Sequence, residues 1–80
     1  MDREIIERHL LLAEMHVSEC ERRLLRQREI VAGLVDGQDV ELSRKLLATF
    51  EALYATHVAD RDRLRSELDD FLASGRRGRR

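Results

Sequence analysis

Two runs of mainly apolar residues, each with gaps alternating strictly between four and three, flank one turn-forming segment, Asp36-Gly37-Gln38-Asp39. The first run is Ile6, Leu10, Ala13, Val17, Cys20, Leu24, Gln27, Val31 and Leu34. The second is Val40, Ser43, Leu47, Phe50, Tyr54, His57, Arg61, Leu64, Leu68 and Phe71. A repeat of this kind keeps one face of an α-helix turned toward a neighbour along its whole length. The chain is therefore expected to be all-α: an antiparallel two-helix hairpin packed in coiled-coil fashion.

Local signals set the expected ends of the helices. Asp2 can cap a first helix over about residues 3–35, since neither Gly nor Pro interrupts the chain before Gly33. Gly37 suits the left-handed conformation that ends a helix. Asp39 can cap a second helix over about residues 40–73, with Glu41 in its first turn. Ser74 and Gly75 are expected to end that helix and release a basic, flexible tail over 76–80. Residues 1–75 then form one domain.

Residues that face one another across an antiparallel hairpin have position numbers summing to a constant, which this turn sets at about 74. Leu34 then meets Val40, Leu24 meets Phe50, Cys20 meets Tyr54, Leu10 meets Leu64 and Ile6 meets Leu68. The expected hairpin core is Leu10, Val17, Leu24, Phe50, Tyr54, Leu64 and Leu68. Four seam positions, Gln27, Ser43, His57 and Arg61, are polar, which lowers stability but selects register and partner number. Arg61, opposite Ala13, can lay its methylenes over that small residue and carry its charge outward.

Composition agrees with this architecture. Charged residues make up 39% of the 80, hydrophobic residues 42% and aromatics 4%, and proline is absent. That profile belongs to long exposed helices rather than to disordered chains. The net charge of -1 conceals an asymmetry, because Arg76, Arg77, Arg79 and Arg80 crowd one end. No apolar run approaches the roughly 18 residues of a membrane span. The charged start Met1-Asp2-Arg3-Glu4 argues against a signal peptide, and a lone cysteine suits a reducing cytoplasm.

A two-helix seam is a small core for a chain of this length, and the seam leaves apolar residues over. Ile5, Leu11, Leu12, Met15 and Leu25 lie off the seam of the first helix, as does Ile30. Leu46, Leu53, Leu72 and the series Ala48, Ala52, Ala55, Ala59 lie off the seam of the second. Apolar stripes of this extent point to a second interface. The expectation is a homodimer, two hairpins pairing into a four-helix bundle, with Ile5, Leu11, Leu12, Met15 and Leu25 as the contact surface. An unidentified protein partner is the variant of that reading.

Chemistry-bearing residues are sparse. The register places His16 near Asp60, His9 near Glu67, and His57 in the seam beside Val17. These are read as partly exposed histidine–carboxylate pairs and a hydrogen-bonded seam residue; such pairs would make stability respond to pH. The competing arrangement is a metal centre from His16, Cys20, His57 and Asp60, since His16 and Cys20 have a spacing that can grip an ion from one helix. No CxxC or HExxH motif supports it, and no metal or other cofactor is expected. Cys20 is read as a small buried hydrophobe.

Glu7 with His9, and Glu14 with His16, lack the Glu-x-x-His spacing of di-iron bundles. No Gly-rich phosphate loop or nucleophile elbow is present, so catalytic residues are not expected. Arg22, Arg23, Arg26 and Arg28 are interleaved with Glu19, Glu21 and Glu29, the pattern of a solvated, ion-paired helix face. The alternative is a small dimeric nucleic-acid-binding or regulatory protein using Arg22, Arg26 and the arginine tail. An acidic body disfavours it, because the 15 basic residues less Arg76, Arg77, Arg79 and Arg80 leave 11 against 16 acidic ones.

The stretch Arg26-Gln27-Arg28-Glu29-Ile30-Val31-Ala32, with Leu46-Leu47-Ala48-Thr49-Phe50-Glu51-Ala52-Leu53 and His57-Val58-Ala59-Asp60-Arg61-Asp62-Arg63-Leu64, resembles a group of short bacterial helical-hairpin proteins with no assigned activity. The resemblance spans residues 1–68. It implies a bacterial cytoplasmic protein and carries over no site. In architecture alone the chain is similar to the Rop type of dimeric hairpin, and fold does not settle function. The function expected is that of a non-enzymatic helical interaction or adaptor protein.

Overall fold

The computed structural model describes residues 2–34 and 39–77 as two helices, α1 over Arg3–Ala32 and α2 over Val40–Arg77. Three contacts across the helix pair establish the direction. Arg65 reaches Glu14, the His57 ring lies beside His16, and the Gln27 amide reaches Ser43. As the α1 number rises the α2 number falls, so the pair is antiparallel and close to the expected register. The proposed turn residues Asp36, Gly37 and Gln38 lie outside the described residues.

The heptad pattern maps directly onto burial. Within α1 the buried or half-buried residues are Ile6, Leu10, Ala13, Val17, Cys20, Leu24, Gln27 and Val31, all of them seam positions. In α2 the seam from Val40 to Leu68 is likewise covered, and Leu64 is its most enclosed member. Of the expected core, Val17, Leu24 and Leu64 are buried, while Leu10, Phe50, Tyr54 and Leu68 are half-buried. Ile6 and Ala13 join the buried set. Phe71, the last expected seam residue of α2, is instead 40% exposed. The register places it opposite Arg3, where α1 has only just begun.

Both helix ends at which the sequence suggested a stop differ from expectation. The N-terminus of α1 follows it: the Asp2 carboxylate accepts a hydrogen bond from the Ile5 N–H at 3.0 Å. At the other end α1 closes at Ala32 rather than near 35. Gly33 caps it, donating its N–H to the carbonyls of Glu29 and Ile30 at 3.1 and 3.2 Å. Its φ of -89° is right-handed, so this cap does not use the left-handed geometry open to glycine. In α2, Ser74 and Gly75 do not end the helix, which continues to Arg77. A single glycine weakens a helix by about 1 kcal/mol relative to alanine without reversing the chain.

The molecule is a rod of 69 × 15 × 14 Å with a radius of gyration of 18.5 Å. A compact domain of this length would have a radius near 12 Å. One seam runs the length of the rod, so most side chains have only one other helix to touch.

Candidate functional site

Midway along the rod, His16 on α1 and His57 on α2 face each other across the helix pair. Their ring centres are 5.2 Å apart and the planes are inclined by 54°. His57 is half-buried at its seam position and His16 is exposed on the flank. The register explains the meeting: His16 stands one residue before seam position Val17, so its ring leans over the groove toward His57.

The expected histidine–carboxylate pairs are not formed. Asp60 and Glu67, the partners foreseen for His16 and His9, both accept from Arg63 at 2.7 Å. An arginine one turn away on the same helix competes better than an imidazole across the groove, because its guanidinium offers a fork of permanently charged donors. The hydrogen bonds to Asp60 and Glu67 push the Arg63 pKa above its ordinary value. Any stability from this pairing requires the two carboxylates to be ionised, and at the alkaline end it is lost only as pH rises through that elevated value, far above neutrality. The carboxylates expected to pair with His9 and His16 are thus engaged within α2.

The four-ligand metal centre is not assembled either. His16 and His57 come together, but among the described residues no three His, Cys, Asp or Glu side chains cluster as a ligand set. Asp60 is engaged by Arg63, and Cys20 is half-buried in the seam.

The foreseen association residues are all at the surface. Ile5, Leu11, Leu12, Met15 and Leu25 are 41, 61, 52, 51 and 48% exposed. None occupies a seam position, and four of the five lie in the N-terminal half of α1. A second apolar stripe follows α2. Leu42, Leu46 and Leu53 are exposed, and Thr49 and Thr56 continue their spacing. Both threonine hydroxyls turn back to their own helix, to the carbonyls of Lys45 and Ala52 at 3.1 and 3.0 Å. That leaves the stripe with little outward polar demand. Sequence periodicity had marked Leu46 and Leu53 but not Leu42, which belongs to this stripe by its i, i+4 relation to Leu46.

Arg22, Arg23 and Arg26 gather around one surface hollow together with Glu19. Arg26 also approaches Glu29 at 3.8 Å. The described residues include one ion pair between the helices, Arg65 to Glu14 at 3.4 Å, which is largely exposed. No helix among the described residues is long and apolar enough to cross a membrane. The side chains of the arginine tail, 76–80, lie outside the described residues.

Comparisons with known proteins add no assignment: no family model, curated protein or solved structure matches the chain.

Proposed function

We propose that this protein is a non-enzymatic interaction module whose hairpin associates with a second copy through the exposed apolar face of α1. The observation that carries the reading is the exposure of Ile5, Leu11, Leu12 and Met15 on one helix half that makes no seam contact with them. Large exposed apolar patches on small helical proteins are typical of interaction surfaces. The thin seam supplies a reason for association, since two helices bury too little to offset the ordering of the chain comfortably.

The arrangement we favour is a four-helix bundle of two hairpins, the dimeric form implied by the Rop-like architecture. A bacterial cytoplasmic setting fits the resemblance noted in the sequence and the single cysteine. Sedimentation equilibrium on the purified chain tests the reading. The expected result is a dimer that Leu12→Glu converts to a monomer of lower melting temperature by placing a charge in the interface. A parent chain that is monomeric at all accessible concentrations overturns it.

The gathering of Arg22, Arg23 and Arg26 at one hollow favours a second reading, a nucleic-acid-binding dimer. Phosphate contacts would make such binding steeply salt-dependent. A gel-shift titration at two salt concentrations separates the two readings, and absence of binding at low salt removes the second.

A further inference from the structure

We propose that His16 and His57 form a chelating pair for a divalent transition-metal ion, Zn2+ being the simplest probe, that staples α1 to α2 at mid-length. The inference does not rest on the association reading. It rests on the separation of the two rings. An imidazole nitrogen lies about 1.1 Å from its ring centre and binds zinc at about 2.1 Å, so two histidines on one tetrahedral ion have ring centres about 5 Å apart. The observed separation is 5.2 Å.

Three further features suit the pair to this role. The histidines come from different helices, so an ion held by both closes a cross-link that the unfolded chain lacks, and binding adds to folding stability. The carboxylate expected beside His16, Asp60, is engaged by Arg63 instead and need not be displaced. His16 is exposed, which gives the ion and its waters a route in. Two protein nitrogens leave the remaining positions to water. Cys20, one turn beyond His16, stays in the seam in this assignment. Imidazole nitrogens select zinc, copper or nickel over magnesium or calcium, which require oxygen ligands.

Thermal denaturation of the full chain with and without Zn2+ tests the proposal. Saturating Zn2+ is expected to raise the melting temperature by at least about 5 °C, whereas Mg2+ leaves it unchanged. His16→Ala, an exposed change that leaves the seam intact, is expected to abolish the shift. His57→Gln, which keeps a polar side chain at the seam, is expected to do the same. His9→Ala and Cys20→Ser should retain it. The shift should also weaken on acidification, since protons and metal compete for the same nitrogens. The absence of a shift in the parent chain, or its survival in His16→Ala, overturns the assignment. Loss of the shift in Cys20→Ser overturns the two-histidine form of the site. A shift found only at protein concentrations where Zn2+ drives association overturns the intrachain form.

Discussion

Gln27 is the most informative single residue in the seam. It is the one buried polar or charged side chain among the described residues, 5% exposed, and its Nε2 donates to the Ser43 carbonyl on α2 at 3.0 Å. A buried amide that must meet one carbonyl admits one register, whereas a slide of either helix would leave it unpaired at about 1–3 kcal/mol. The heptad pattern marked Gln27 as a polar interruption, but periodicity cannot say which atom satisfies it. Ser43, another polar interruption, contributes its backbone rather than its hydroxyl to this bond. Replacing Gln27 with Leu is expected to raise the urea midpoint, by about 1 kcal/mol of stability, because the Ser43 carbonyl keeps its helical partner and apolar surface is gained. The same change should relax register or partner number, seen as heterogeneity in sedimentation. A lowered midpoint would refute this account. Arg61 shows the other solution to a polar seam position: its side chain is 23% exposed, and its guanidinium leaves the groove to meet Asp62.

The two helices differ in how strongly their ends are specified. Asp2 caps α1 as its sequence position suggests, because a carboxylate before the first turn has no better use than the free N–H groups there. The far end of α1 falls three residues short of the expected one, because helix closure needs only a residue that lets the chain leave after Ala32, and Gly33 does so. Since Gly33 has a right-handed φ and an added Cβ would meet only the Glu29 and Ile30 carbonyls at 3.5 and 3.8 Å, alanine fits there. Gly33→Ala is expected to stabilise the hairpin by about 0.4–1 kcal/mol through a less flexible unfolded chain. Chemical denaturation gives the measurement, and destabilisation would show that the cap needs glycine after all. At the end of α2, Gly75 has nothing within 4 Å of a notional Cβ, so no contact obliges the helix to stop there.

On the scale of the whole molecule, stability is concentrated in few side chains. The buried hydrophobic core among the described residues is Ile6, Ala13, Val17, Leu24 and Leu64. Leu24→Ala, at a residue 4% exposed, is expected to cost about 2–5 kcal/mol, a large share of what a domain of this size possesses. Circular dichroism should show its helix content falling well below that of the parent at 37 °C. Retention of a parent-like melt would mean that the seam is not the main source of stability. The surface ion pairs provide no such reserve, since pairs as exposed as Arg65–Glu14 contribute at most about 1 kcal/mol and are screened by salt.

The sequence by itself determined the helical class, the antiparallel pairing and the identity of nearly every seam residue. Heptad spacing is a local consequence of 3.6 residues per turn, so it can be read without knowing any partner. It likewise named Ile5, Leu11, Leu12, Met15 and Leu25 as apolar residues left outside the seam. The tertiary structure decided which polar side chains meet. Gln27 found a carbonyl, Asp60 and Glu67 were taken by Arg63, and His16 was left facing His57. Those outcomes depend on rotamers and on competition between donors a few ångströms apart. A periodicity fixes the face on which a side chain lies, but the direction in which its polar atoms point is settled only once both helices are in place.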